Sequence, residues 1–421
     1  MLTLLKQVLI TDTTSPYFNT QQDILIENGI IKQISSNINT ADKIDVIEGE
    51  ALAVSPGWID LFANFAEPGY EYREGINNGI NAALAGGYTQ ICLIPNTNPV
   101  ADNKSTIEFL IQKAKNSGVN ILPLGAVSKK TEGTTLAEMY DMHFAGAIAF
   151  TDGLAPLQSA GLLLKALQYV KSFNGTIIQI PIDKSIGTYG LINEGIISTQ
   201  LGLPGSPALA EELCIQRDIE LLKYTQSKLH ITGITTAKSV ALIQQAKEQG
   251  LAISCSVTPH HLFFCDEDLQ NYNTNLKVNP PLRTNADKLA LQQAVANGII
   301  DCIATHHLPY NVDEKVCEFQ QAQFGCIGLQ TAYAAINTCL PQLDETAIAK
   351  LLHYNVAKTL NIETTGIKEH TIANLTVFTK NGNTTLTSAN NKSNANNSPF
   401  LNLPLKGKVI CTINHNKIYK N

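Results

Sequence analysis

The stretch Ser55-Pro-Gly-Trp-Ile-Asp-Leu-Phe-Ala-Asn-Phe-Ala-Glu-Pro-Gly69 carries the first of eight short, apolar, β-rich runs, and the spacing of those runs decides the fold. Its strand-like part is residues 57–62. The others are residues 89–94, 120–125, 146–150, 176–180, 228–232, 252–257 and 300–304. Between them lie segments with apolar side chains at intervals of three and four, such as 105–115 and 236–246, the mark of an amphipathic helix. These two end near glycines, Gly118 and Gly250, as helix C-termini commonly do. Strand-like runs alternating with helical ones specify parallel βα units. Eight in succession predict an α/β fold, a (β/α)8 barrel over residues 55–364.

The chain ends show another pattern. Residues 1–54 and 365–421 contain short alternating strands, turn signals and little helix, and are expected to form one small β-domain beside the barrel. The run 24–34 has a hairpin pattern around Asn28-Gly29, with residues 407–413 and 417–419 as its expected partner. Residues 382–399, rich in Asn, Ser and Thr, read as a mobile surface loop.

Composition narrows the class. The 421 residues are 44% hydrophobic but contain no run of about 18 apolar residues, so a globular chain is expected and a membrane span is not. The opening Met-Leu-Thr-Leu-Leu-Lys is too short and lacks the basic leader of a secretory signal, which predicts a cytoplasmic location. Nine scattered cysteines, odd in number and often inside apolar runs, read as buried thiols in a reducing compartment. A net charge of −6 without a basic stripe argues against nucleic acid as a partner.

In such a barrel, chemistry is carried by residues at the C-terminal ends of the strands. Here these are Phe62, Asn64 and Ala66, then Asn96, Asp152, Ile180 and Ile182, Gly233, His260 and His261, and His306 and His307. A hydrolytic metal site needs several nitrogen or carboxylate ligands converging there. Only Asp152 and the late histidines qualify. Adjacent residues at a strand end point in opposite directions, so at most one histidine of each pair is expected to face the mouth. Two such histidines with Asp152 would make a weak three-ligand site. The alternative is that His261 and His307 pack behind the strands while His260 and His306 line the pocket.

Several segments together resemble the dihydroorotases of the long bacterial type, within the metal-dependent amidohydrolases. They are Gly86-Gly-Tyr-Thr89, Pro95-Asn-Thr-Asn-Pro-Val100, Leu201-Gly-Leu-Pro-Gly-Ser-Pro-Ala-Leu-Ala-Glu-Glu212 with Arg217-Asp218, Val257-Thr-Pro-His-His-Leu262, Asn273-Thr-Asn-Leu-Lys-Val-Asn-Pro-Pro-Leu-Arg283 and Phe324-Gly-Cys-Ile-Gly-Leu329. The resemblance implies zinc and a site set at Phe62, Asn64, Asp152, Ile180, Gly233 and His306. In the family the first strand carries His at the places of Phe62 and Asn64. Family histidines likewise correspond to Ile180 and Gly233, and the aspartate that serves as ligand and general base corresponds to His306. The family's substrate-binding arginine corresponds to Ala66, and the last histidine of its strand-eight motif to Tyr310. Asn96 and Asn279 match residues that bind substrate, although both also suit turns beside Pro95 and Pro280. His230 matches a family histidine and is expected to be buried and hydrogen-bonded.

Phenylalanine and isoleucine cannot ligate zinc. The expectation is therefore a protein of pyrimidine biosynthesis without its zinc or general base. It would be a non-catalytic subunit, forming a homo-oligomer or assembling with aspartate carbamoyltransferase as inactive relatives of this type do. The alternative is an active cyclic amide hydrolase with an altered single-metal site.

Overall fold

The computed structural model describes residues 2–39 and 44–421. Eight strands form one sheet with every neighbouring pair parallel: β1 (Trp58–Ala63), β2 (Tyr88–Leu93), β3 (Asn120–Gly125), β4 (Ala149–Phe150), β5 (Ile177–Gln179), β6 (Leu229–Thr232), β7 (Ile253–Val257) and β8 (Cys302–Ile303). Each begins and ends within three residues of its expected run, because continuous apolar segments suit strands covered on both faces.

The sheet closes into a barrel between its first and last strands. Ala63 pairs with His307, and the Asn64 amide donates to the His307 carbonyl at 2.9 Å. One turn deeper, the buried Asp60 carboxylate accepts the Thr305 N–H at 2.7 Å and the Thr305 hydroxyl at 2.9 Å.

Helices cover the outside. The expected helix 105–115 is Lys104–Lys113, where the Asn103 side chain accepts the Thr106 amide at 3.2 Å. The expected helix 236–246 is Ala237–Glu248, and Thr236 caps it through Ser239. A cap of this kind satisfies one of the amides that a helix start leaves unpaired.

Both chain ends contribute to a second sheet. Its order is Lys417–Lys420, Pro404–Asn414, Asn374–Thr385, Ala53–Pro56, Leu2–Ile10, Gln21–Glu27, Ile30–Ser35, with Asp45–Ile47 also beside Leu2–Ile10. The 24–34 hairpin forms with Glu27 opposite Ile30, and Asn28 and Gly29 both have positive φ (51° and 79°), as a two-residue primed turn requires. Its expected partner is corrected. Residues 407–413 belong to the far side of the sheet and pair with Asn374–Thr385, so the hairpin's strand neighbour is Leu2–Ile10. Only the hairpin tip approaches the C-terminal turn: Gly29 lies against the backbone of His415.

The expectation of a mobile loop at 382–399 is also overturned. This segment crosses from the end sheet to the barrel mouth and is tied down by its own amides. Asn397 accepts the Tyr310 amide and donates to the Leu308 and Gly325 carbonyls at 2.9 and 3.2 Å. Glu74 accepts the Ser393 hydroxyl at 2.6 Å and the Asn394 amide at 3.1 Å. Polar composition signals disorder only when the polar groups lack partners, and here the Asn397 amide satisfies buried loop carbonyls.

Trp58 pins the end sheet to the barrel. It is fully buried, its ring lies 5.2 Å from Tyr333 and 5.3 Å from Phe378 of the end sheet, and its Nε1 donates to Ser55 at 2.9 Å. Trp58→Ala should lower unfolding free energy by about 3–5 kcal/mol in urea titrations. A loss below about 1 kcal/mol would mean that the two units are held elsewhere.

Candidate functional site at the barrel mouth

The side chains at the C-terminal ends of the strands divide into a sealed lower layer and a shallow upper one. In the lower layer, Phe62 is fully buried and its ring lies over His306, with centroids 4.4 Å apart and planes 31° apart. Ile180 closes the same apolar cluster with Ile94, Leu308 and Tyr310, and half-buried Ile182 packs against it.

His306 and Gly233 fit only as a pair. Gly233 has φ +75°, and a Cβ there would stand 2.8 Å from the His306 ring. The imidazole therefore occupies the space into which a side chain at 233 would project. His306 itself has φ +46°, an uncommon conformation for a residue with a side chain.

Below His306 runs a buried hydrogen-bonded chain. The Ser256 hydroxyl donates to Thr232 Oγ1 at 2.8 Å, which leaves the Thr232 hydroxyl to donate to His306 Nε2 at 2.8 Å. His230 Nε2–H then donates to Ser256 at 2.9 Å, and its Nδ1 lies 2.8 Å from the Ser254 hydroxyl. Burial pushes both imidazoles down to about 3, with the charges of His261 and His230 adding to the effect on His306, and that of Lys247 to the effect on His230. Both rings are neutral at pH 7.

The other expected site residues do not join them. The Asp152 carboxylate is taken by the loop after β3, accepting the Val127 and Ser128 amides at 2.9 and 2.8 Å and the Ser128 hydroxyl. Burial raises its pKa against the lowering effect of these bonds. Asn64 braces its own turn, accepting the Ala66 amide at 2.7 Å, and Ala66 is buried at φ +58°. Asn96 bridges the Asp152 carbonyl and the Leu154 amide, while Asn279 is exposed.

The opposite orientation expected of His260 and His261 is corrected. Both lie in a short helix, Pro259–Phe263, with their rings 4.6 Å apart, so strand alternation does not govern them. His261 is held by Thr258 and the Pro280 carbonyl at 2.7 and 2.9 Å, and His260 Nδ1 lies 3.6 Å from Cys326 Sγ. His307 accepts the Gly328 amide at Nδ1, which leaves its Nε2 facing the Glu74 carboxylate at 3.7 Å.

Above this layer is a cavity of about 320 Å³ lined by Asn64, Asn96, Arg73, Leu308 and Tyr310, among others. Phe62, Ile180, Gly233, His260 and His306 do not reach it. Arg73 is clamped to Glu314 by two hydrogen bonds, and its guanidinium lies 4.8 Å from the Tyr70 ring and 5.0 Å from the Tyr310 ring. Among the described residues, no three His, Cys, Asp or Glu side chains come together as a group able to hold a metal ion. Zinc sites take three or four such donors at about 2.0–2.3 Å, so the donor set at this mouth does not fit zinc.

Several residues that organise the site carry no signal in the sequence alone. Asp60 and Glu74 are ordinary acids in motif-like surroundings. Glu211 and Arg283 lie inside segments that carry the family resemblance, without a role that the resemblance assigns. In the structure Glu211 accepts the Thr235 amide at 2.7 Å and the Thr235 hydroxyl, while Arg283 donates to Thr235 and Asn193 at 3.1 and 3.0 Å. Glu211 and Arg283 thus join two of the matching segments through Thr235.

The fold is a closed parallel barrel flanked by a sheet from both chain ends. Solved structures share it. L-hydantoinase from Arthrobacter aurescens superposes with a TM-score of 0.87 at 20% identity, over 100% of this chain and 96% of that one. Dihydropyrimidinase from Brevibacillus agri NCHU1002 gives 0.82 at 18% identity, over 99% and 95%.

Sequence comparison then narrows the class. The dihydro-orotase-like family model matches residues 52–239. A dihydroorotase of Thermoanaerobacter sp. (strain X514) is 41% identical over 395 residues, 93% of this chain and 91% of that protein. One from Geobacter metallireducens is 36% identical over 94% of each. The chain belongs to the dihydroorotase family.

The two neutral histidines have a consequence in acid. Their folded pKa values of about 3 lie below the ordinary 6.5, so between those limits the unfolded chain binds protons that the folded one refuses. Each histidine then removes stability as pH falls, by up to about 1.4 kcal/mol per pH unit. Asp60, raised to about 7 by burial, acts oppositely between about 7 and 3.8, and is common to wild type and variant. His306→Gln should therefore lose less stability than wild type between pH 6 and 4 in urea titrations; equal slopes would contradict a neutral buried His306.

Proposed function

We propose that this chain is a dihydroorotase-fold subunit of pyrimidine biosynthesis that does not hydrolyse a cyclic amide and acts structurally, with aspartate carbamoyltransferase as its partner. The observation that carries this reading is the Phe62–His306 stack, which lies at the family's ligand positions and is sealed by Ile180. Hydrolysis of a cyclic amide needs an activated water and a base to move its proton. Metal coordination lowers the pKa of water from about 15.7 to about 7, and a positioned base contributes roughly 10²–10⁴ in rate. The side chains lining the mouth supply neither: Asn64 and Asn96 brace turns, and Glu314 is bound to Arg73.

The partner rests on resemblance to inactive chains of this type that assemble with that enzyme. Exposed apolar side chains on the barrel's outer helices are consistent with docking. Tyr140 and Phe144, 4.7 Å apart, are 45% and 72% exposed, and Leu209, Leu213 and Tyr224 emerge from the helix Leu209–Thr225. A second reading, an active cyclic amide hydrolase with an altered single-metal site, is favoured by the names of the relatives.

Metal content, turnover and co-purification separate these readings. Purified protein should contain less than one tightly held zinc per chain by elemental analysis. It should show no turnover of dihydroorotate, and Phe62→His with Asn64→His should leave it inactive. Stoichiometric metal with turnover of about 1 s⁻¹ or more would establish the second reading. In the native organism, aspartate carbamoyltransferase should co-purify with the chain, and Phe144→Glu should weaken the complex if the aromatic face docks. Identical carbamoyltransferase behaviour with and without the chain would overturn the structural role.

A further inference from the structure

The interior of the barrel is apolar on most strands and polar on two. Ile59 and Leu61 of β1, Ile178 of β5 and Cys302 of β8 belong to the inner apolar cluster. His230 of β6 stands opposite Ile178 in register, Ser254 of β7 opposite His230, and Ser256 opposite both Thr232 and Cys302. Residues opposite one another share a face of the sheet, so these four polar side chains also point inward.

The hydrogen bonds below His306 therefore continue to the far end of the barrel. Ser254 is half-buried and, with Thr176, Asp301, Asn355 and Thr359, lines a cleft of about 470 Å³ at the N-terminal ends of β5 to β8. Thr359 donates its hydroxyl to Ser254 at 3.5 Å, which leaves the Ser254 hydroxyl to donate to His230 Nδ1. From there every bond points the same way, from His230 to Ser256, from Ser256 to Thr232 and from Thr232 to His306.

A hydroxyl has one hydrogen, so within such a chain it donates to one neighbour and accepts from the other, and a neutral imidazole does the same with its two nitrogens. Bonds in a chain also polarise one another. Reversing one then reverses all. In the observed direction His306 accepts at Nε2 and carries its proton on Nδ1, whereas in the opposite direction the proton sits on Nε2.

We propose that this chain is a two-state relay, in which the direction of the hydrogen bond at Ser254 on the barrel floor decides which nitrogen of His306 at the mouth carries the proton. An acceptor placed beside Ser254 takes its hydrogen, so that Ser254 accepts from His230 Nδ1–H, His230 Nε2 from Ser256, Ser256 from Thr232 and Thr232 from His306 Nε2–H. No net charge moves, since each group keeps one hydrogen. The proposal does not depend on whether the mouth is catalytic.

The test is nitrogen-15 NMR of the full chain labelled at histidine, at pH 7, with His230 and His306 assigned by substitution. Wild type should show His230 protonated at Nε2 and His306 at Nδ1. Ser254→Asp, which supplies an acceptor without a hydrogen, should move the His306 proton to Nε2 in a protein that still unfolds cooperatively. Adding Ser256→Ala breaks the chain and should return it to Nδ1. Both rings protonated at the same nitrogen in wild type would overturn the relay without any variant. So would a folded Ser254→Asp protein with the wild-type His306 tautomer, or a double variant in which Ser256→Ala restores nothing.

Discussion

The barrel depends on a carboxylate buried between its first and last strands. Asp60 lies in the centre of β1 and receives both the amide and the hydroxyl of Thr305, just beyond β8, across a seam that hydrogen-bonded strand pairing alone barely spans. Burial makes its charge unfavourable, raising its pKa to about 7, and the two Thr305 bonds offset part of that penalty. The two residues after Thr305 are placed by this contact. His306 is delivered over Phe62, and His307 is set to pair with Ala63 and to face Glu74. The seam is thus the origin of the mouth's geometry.

Phe62, Gly233 and His306 at that mouth pack as one unit. A histidine ring at 306 needs an empty position at 233, and glycine supplies it. The ring's other face needs a flat apolar neighbour, supplied by Phe62, while its Nε2 finds Thr232. Bulk at one position is matched by space at its neighbour, as a densely packed interior requires. The polar pair Glu211–Arg283 and the cap residues lie outside this exchange, and they keep the motif segments in place.

Much of the fold is legible in the sequence because its signals are periodic. Continuous apolar runs such as residues 120–125 can be little other than buried strands once helical spacers separate them, and the Asn28-Gly29 turn is specified by backbone conformation alone. Legibility fails where side chains bond to distant backbone. Asn397 reads as a disorder-prone residue until Leu308, some ninety positions earlier, is known to lie beside it. The His260–His261 orientation departs from strand alternation for a local reason. Thr258 before Pro259 is a helix start, and that signal stands in the sequence. At the site, the candidate positions can be named from the resemblance, but the contact between Phe62 and His306 is a tertiary fact with no trace in either residue's neighbourhood.

The end sheet also constrains the order of assembly. Its strand Ala53–Pro56 meets Asn374–Thr385 only after the barrel sequence has been traversed, and the Ser15 hydroxyl bonds the Ile367 carbonyl across 352 positions. During synthesis on the ribosome, the first strands emerge long before the partners that cover Ala53–Pro56 exist. Their hairpin can form early from local contacts, but one edge stays open throughout elongation, and contacts of such long range close slowly. Until the last strands are released, that edge is a surface on which chaperones or neighbouring nascent chains compete with the protein's own C-terminus.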